Sequence, residues 1–537
     1  MKIIKTGYNY ILNAKNHRLI VWFLMSIGLA IRLLGISIFP AGLNQDEASI
    51  GYEAFSILTT GFDRNGFSYP VHLVSWGNGQ NALYAYLSMP FIKLFGLNVF
   101  SVRIVNAIFS SLSLLIFYLI FKKIVDKNKA LVALAILSIC PWSIMSARWG
   151  LECNIFPPLF LLGIWLLLKG IYTSQRYFLL SFLIFAVSLY AYGPSYLILP
   201  VFFALLLPYL LFHKKISIKY CLLSSTLFII TALPIILFVI INHFDFPTIQ
   251  FANITIPRLE SNRTNQIFNL LGHDFLINLI KNAVHFFNVL FLQTDGNDYN
   301  AIPSFGTIYS ISLPFFIIGL VKVLKNKVFL KEAHHYIFVS WLLCSFILGF
   351  TSSVNINRIN IIFFPILYFV VLGLFDVYRM LNSEFQTRYR LFLIGLYSLY
   401  FVLFVSYYFV VFNEKIKTDF SFGLGEAIQY ADKINPNDTI NITTNSINMP
   451  YIYVCFYAKI EPSNFRKTIV YKKYEDNMNN NGFREVKSFG RYTFGINKSA
   501  QNAISILSEE EVLLKNIDIS CAKKFGNYYV LNCPPHI

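Results

Sequence analysis

Leu19-Ile-Val-Trp-Phe-Leu-Met-Ser-Ile-Gly-Leu-Ala-Ile-Arg-Leu-Leu-Gly-Ile-Ser-Ile-Phe-Pro40, followed at once by Ala41-Gly-Leu-Asn-Gln-Asp46-Glu47, is the stretch on which the reading of this chain turns. A bilayer-spanning helix takes ~20 predominantly apolar residues, and the run from about Leu19 to Pro40 meets that length. It is too long for the apolar core of a signal peptide and carries no A-x-A cleavage site, so it reads as an uncleaved first span. Lys2, Lys5, Lys15 and Arg18 precede it. Basic residues stay on the cytoplasmic side, which places the N-terminus there and the Asp46–Glu47 pair on the opposite face.

The same length criterion predicts about eleven spans, at 19–39, 101–121, 130–144, 154–170, 177–191, 195–212, 220–242, 305–324, 335–351, 359–378 and 391–412. If the first loop lies outside, alternate loops should be basic, and they are. Lys122, Lys123, Lys127 and Lys129 follow the second span, Lys169 and Arg176 the fourth, and Lys214, Lys215 and Lys219 the sixth. Lys322, Lys325, Lys327 and Lys331 follow the eighth, and Arg379, Arg388 and Arg390 the tenth. Composition agrees: 56% of the 537 residues are hydrophobic, 13% are charged, and mean hydropathy is +0.56. A soluble protein of this size needs more polar surface. The net charge of +17 therefore reflects cytoplasmic loops facing anionic headgroups rather than a nucleic-acid partner.

Two outer loops are long, 40–100 and 243–304. The first contains the apolar, proline-interrupted stretch Asn81–Phe95, which suits a helix at the outer membrane interface. After Asn413 polar residues return. Alternation in Thr439-Ile-Asn-Ile-Thr and helical periodicity in 425–433 predict a small extracytoplasmic α/β domain over 413–537, behind a transmembrane domain over 1–412. Cys140, Cys221 and Cys344 lie in apolar runs and read as buried hydrophobes, whereas Cys521 and Cys533 are spaced to allow pairing. No Gly-rich phosphate loop, H-E-x-x-H or Cys/His ligand spacing occurs. A divalent metal is compatible with this pattern but not indicated, and no cofactor is required.

Charged residues beside spans are expensive and mark functional sites. Here they collect at the outer ends: Asp46 and Glu47 after the first span, Arg148 and Glu152 between the third and fourth, and Asn355, Asn357 and Arg358 before the tenth. Tyr190, Tyr192 and Ser195 lie at the same level. No acid sits at the centre of a span, which disfavours an ion-coupled transporter. A polar cavity at the outer membrane surface suits a substrate with a lipid tail and a polar head.

The segment Gly42-Leu-Asn-Gln-Asp-Glu-Ala-Ser-Ile-Gly-Tyr52 resembles the first-loop signature of the GT-C membrane glycosyltransferases, and most closely the family 39 branch of protein O-mannosyltransferases and the bacterial aminoarabinose transferase of lipid A. The similarity continues through Thr60–Gly66, Val74–Tyr84, Phe95–Arg103 and Pro141–Arg148, and returns at Ala191–Tyr196 and Asn355–Asn360. It implies a GT-C-like helical membrane domain and a bacterial cell-membrane enzyme using a polyprenyl-phosphate-linked sugar. It also implies Asp46 as the base toward the acceptor hydroxyl, Glu47 as its geometric support, and Arg358 at the lipid phosphate. Arg148 and Glu152 fall where the family places further polar site residues. Many members carry Lys-Pro-Pro in the first loop. Here Gly79-Gln80-Asn81-Ala82 stands instead, so Gln80 and Asn81 offer hydrogen bonds without charge and both a monophosphate and a diphosphate donor stay open.

Glycosyl transfer needs a carboxylate within ~2.6–3.2 Å of the acceptor oxygen. It also needs stabilisation of a cation-like anomeric carbon and of the leaving phosphate. Asp46, Arg358 and the Gln80–Asn81 amides supply these roles on this reading, with Tyr84, Tyr192 and Asn357 beside the donor sugar. The partners are then the donor lipid, the bilayer and an acceptor protein, glycolipid or wall polymer. Two other classes stay open. An envelope-polysaccharide polymerase or ligase would concentrate its key residues in the late outer loop, where Arg258, Arg263, His273 and Asp298 lie. A lipid-sugar flippase or transporter would show midplane charge and repeated halves, and the sequence shows neither.

Overall fold

The computed structural model describes residues 14–260, 275–325, 327–472, 484–495 and 503–532. They group into two compact units. The first comprises Met1–Leu34, Asn106–Ala232 and Asn269–Tyr408; the second comprises Gly35–Val105, Leu233–Phe268 and Phe409–Ile537.

The first unit is a helical bundle. Among the described residues of the whole chain nine helices are long and apolar enough to cross a membrane, or ten if one bent pair is a single span. The difference from the expected eleven lies in particular places. The third expected span is the bent pair: Lys127–Ile139 stops, and Pro141–Ala147 restarts at an angle of 56°. Pro141 has no N–H to continue the ladder but suits the first turn of a new helix. The fifth is the short helix Tyr177–Ser188. The eighth, expected over 305–324, is only the 13-residue helix Leu313–Lys325. Conversely, the outer loop drawn over 243–304 contains Phe275–Leu292, an apolar helix of spanning length. Leu313–Lys325 and Phe363–Met380 touch backbone to backbone, because Gly319 and Gly373 have no Cβ. A methyl group at Gly319 would overlap the Phe369 carbonyl oxygen, and one at Gly373 that of Phe315.

The second unit holds all the strands among the described residues. The first outer loop forms the helix Gln45–Thr60, the small pair β1 (His72–Leu73) and β2 (Gln80–Asn81), and the 13-residue apolar helix Leu83–Phe95 in the stretch predicted to lie at the interface. A hairpin follows, β3 (Ile249–Phe251) with β4 (Ile254–Ile256). The C-terminal segment makes a seven-stranded mixed sheet from β5 (Thr439–Ile442), β6 (Val470–Tyr471), β7 (Val486–Phe489), β8 (Tyr492–Phe494), β9 (Ala503–Ser508), β10 (Ala522–Phe525) and β11 (Tyr528–Leu531). Its order is β10-β11-β9-β5-β8-β7-β6, with β5 parallel to both neighbours. The fully buried alternate residues Ile440 and Ile442 of β5, with Ile504 and Ile506 of β9, pack on one face, and Leu507 and Leu531 form a second cluster with Val512 and Ile517 on the other. Cys521 is disulfide-bonded; Cys533, whose spacing would allow pairing with it, lies outside the described residues. Cys140 and Cys344 are free and buried, and Cys221 is free and partly exposed.

Candidate functional site

The acidic pair opens the helix Gln45–Thr60, and the local sequence explains why the helix starts there. The Asn44 side chain accepts the Asp46 N–H (2.9 Å) and the Glu47 carboxylate accepts the Asn44 N–H (3.1 Å), a capping box that satisfies otherwise orphaned donors. Gly61 ends the helix in the left-handed region at φ 77°, which a side chain would strain.

Within this turn the two acids part company. Glu47 is fully buried, and Arg103 grips it with two charge-assisted bonds, Nε to Oε1 at 2.8 Å and Nη2 to Oε2 at 2.9 Å. Arg103 also donates to the carbonyls of Ile36, Pro40 and Gly42, so the chain leaving the first span is clamped to the helix start. Asp46 is half-buried. Gln80 is joined to the same helix one turn on, accepting from the Ser49 hydroxyl at 3.3 Å, and Asn81 is buried opposite His72 in the β1–β2 pair. Tyr84 departs from its expected place beside a sugar. Its ring is fully buried and its hydroxyl donates to the Val102 carbonyl at 2.9 Å, so packing against the following helix accounts for it.

Sequence reasoning missed an ionic cluster on the same helix. Glu53 and Arg64 are both buried, with Arg64 Nε 3.2 Å from Glu53 Oε1 and the Arg64 N–H donating to Oε2 at 2.9 Å. Arg64 also donates to Ser49 and Ser75 and lies 4.4 Å from the centre of the Trp76 ring. Asp63 accepts the N–H groups of Asn65 and Phe67 through Oδ1, and its carboxyl is pushed up to about 8, first by burial and then by the charge of Glu53. Burial likewise raises Glu53, against the pull of Arg64. The signal was present in Asp63-Arg64, but only the fold brings Glu53 and Ser49 to it.

The other expected residues lie in the helical unit. Arg148 is fully buried at the end of Pro141–Ala147 and donates to the Ile31 carbonyl at 2.7 Å. Glu152 opens the short turn Glu152–Asn154. Asn360 donates to the Cys153 carbonyl at 2.9 Å, which joins that turn to the Asn355–Asn360 segment. There Asn355 caps the turn Ile356–Ile359 through the Arg358 N–H, and Arg358 Nη1 donates to the Ser353 carbonyl at 3.1 Å. Asn357 bonds Asn300, which bonds Asp295, and Asp295 accepts the Ile356 N–H. The Arg148–Asn154 and Asn355–Asn360 segments are therefore joined within one unit, whereas Gln80, Asn81 and Tyr84 belong to the other. Tyr192 is half-buried before the helix Ser195–Phe212. In the late loop Arg258 pairs with Asp245 at an exposed position, whereas Arg263 and His273 lie outside the described residues. Among the described residues no three His, Cys, Asp or Glu side chains are grouped to hold a metal ion.

The sequence model of the family described as dolichyl-phosphate-mannose-protein mannosyltransferase matches residues 81–241. No curated protein matches the chain. Among solved structures, ArnT from Cupriavidus metallidurans bound to undecaprenyl phosphate superposes with a TM-score of 0.55 at 12% identity, over 95% of this chain and 97% of that one. The Archaeoglobus fulgidus oligosaccharyltransferase in complex with Zn and sulfate gives a TM-score of 0.51 at 15% identity, over 82% of this chain and 61% of that one. The chain is thus a multi-pass membrane protein with the GT-C glycosyltransferase fold, as the first-loop resemblance implied.

Proposed function

We propose that this chain transfers a sugar from a polyprenyl-phosphate carrier to an acceptor hydroxyl at the outer side of the cell membrane, with the N-terminus cytoplasmic and the C-terminal sheet domain outside. The observation that carries the assignment of roles is the separation of the acidic pair: Glu47 is fully buried and bonded twice to Arg103, whereas Asp46 is half-buried. Asp46 takes the proton of the acceptor hydroxyl as its oxygen bonds to the anomeric carbon. The bond from that carbon to the phosphate oxygen breaks, and the leaving phosphate keeps the electron pair. One such displacement inverts the anomeric centre. Arg358 and the Gln80–Asn81 amides are assigned to the phosphate and donor sugar. Glu47 and Arg103 are positioning residues. The fold shared with a structure bound to undecaprenyl phosphate supports a lipid-phosphate carrier.

The test uses sealed membrane vesicles of known sidedness, a panel of polyprenyl-phosphate sugars and lipid consumption as readout. Asp46→Asn should lower transfer by roughly 10²–10⁴-fold, the range for loss of a positioned base, while membrane expression stays normal. An impermeant acceptor should be modified only at the face that was outside. Transfer by Asp46→Asn at the unsubstituted rate would remove the assigned base, and modification at the cytoplasmic face would overturn the orientation.

A further inference from the structure

The second unit contains a cavity of about 440 Å³ that has no part in the donor chemistry above. Its lining includes Gln45, Trp76, Asn448, Tyr451, Lys472 and Glu485. Gln45 immediately precedes the proposed base, Asp46, in the first helical turn.

Its far wall is the segment between β5 and the helix Pro450–Tyr457. In sheets with parallel strands, ligands bind beyond the carboxyl ends of the strands, and β5 is the strand with parallel neighbours on both sides. The wall is built rather than loose. Asn445 Nδ2 and the Ser446 hydroxyl both donate to Glu510, at 3.0 and 3.1 Å, and the Asn445 N–H donates to the Thr443 hydroxyl at 3.0 Å. Ser446 and Met449 hold left-handed backbone at φ 57° and 49°, conformations that cluster where a ligand is clamped. Thr444, Ser446 and Asn448 are exposed on the cavity side while Ile447 is buried. The lining thus combines short hydroxyls and an amide with Trp76 and Tyr451, two largely buried rings whose centres are 6.0 Å apart at 84°. Lys472 and Glu485, paired at 2.6 Å, close one side.

The volume falls in the range for small-ligand sites, roughly 300–1,000 Å³. Short hydroxyl and amide groups beside a paired ammonium and carboxylate match a compact polyol. We infer that this cavity binds the acceptor and that the acceptor is a saccharide, whose hydroxyl is presented toward Asp46. The inference rests on the transfer reaction proposed above and adds the chemical class of its acceptor.

The experiment uses the full-length protein in detergent. Methyl glycosides of glucose, mannose and N-acetylglucosamine form one arm, and a Ser/Thr-containing peptide the other. Binding is read by saturation-transfer NMR, which needs no turnover, and transfer by acceptor kinetics with a polyprenyl-phosphate hexose. At least one glycoside should bind and accept sugar, and the peptide should do neither. Asn448→Ala and Lys472→Ala should each raise the glycoside KM about tenfold, the effect of one lost hydrogen bond to a polar ligand, with kcat little changed and binding of radiolabelled donor lipid retained. Peptide modification in place of glycosides, absence of glycoside binding, or an unchanged KM in both variants would overturn the inference. Glycoside binding that Asn448→Ala abolishes, with no donor consumed, would uphold the pocket and sink the transfer reaction instead.

Discussion

Each unit buries an arginine completely, and the two are satisfied in opposite ways. Arg32, in the helical unit, makes five hydrogen bonds and all go to neutral acceptors: the carbonyls of Gly28, Leu137 and Ser138 and the hydroxyls of Ser110 and Ser143. Arg103, in the other unit, spends its two strongest bonds on the Glu47 carboxylate. Both fasten distant stretches of chain. Arg32 spreads its charge over acceptors from several helices, so no single partner is indispensable. Arg103 adds a carboxylate to the carbonyls of Ile36, Pro40 and Gly42, so the loss of Glu47 would strand its charge at the helix start.

That contrast can be broken by substitution. The largest effect on folding is expected from Glu47→Gln, because removing one partner of a buried ion pair leaves the other charge stranded, at a cost of about 3–5 kcal/mol. The double variant Glu47→Leu/Arg103→Met should recover much of the thermal stability lost. A double variant no more stable than the single one would mean that packing, not charge, holds this turn. Ser143→Ala beside Arg32 should cost only about 1–2 kcal/mol, since four other acceptors remain. A loss as large as that of Glu47→Gln would erase the distinction between the two arginines.

A last effect, read in the pH dependence alone, concerns Asp63, the carboxylate of the second unit held by backbone N–H groups. Its carboxyl titrates at about 8 in the fold against an ordinary 3.8. Between those values the folded chain keeps a proton that the unfolded chain has released, so stability falls as pH rises through that window and levels off above it. Asp63→Asn retains an oxygen for the N–H groups of Asn65 and Phe67 and should flatten that part of the stability–pH curve. Thermal melts from pH 5 to 9 check this, and an unchanged slope would assign the pH dependence elsewhere.

Much of the bundle was legible in the sequence because apolar length and basic loops are local signals. Phe275–Leu292 escaped because Lys281, Asn282 and His285 interrupt its apolar run, and Leu313–Lys325 was overdrawn because the residues before it form turns and a single 3₁₀ turn over Ser310–Ser312. In the candidate site the acidic pair at the end of the first span was legible, but its split into a buried Glu47 and a half-buried Asp46 has a cause outside the local sequence. That cause is Arg103, which lies 56 residues from Glu47. Tyr84 was misplaced because an aromatic residue near a site looks the same in sequence whether it faces a ligand or the core.

The strand order of the sheet has a kinetic consequence. β5 is bordered by β8 and β9, both of which come later in the chain. At residue 442 synthesis has made a strand with two bare edges, and neither is covered until residues 492–508 exist. Pairing across such separations is slow, because the loop must be closed before any contact rewards it. The wall that follows β5 therefore takes shape late, after the first-loop helix it faces has long been made. Truncation within 503–508 would leave β5 open along one side, a template for association between chains.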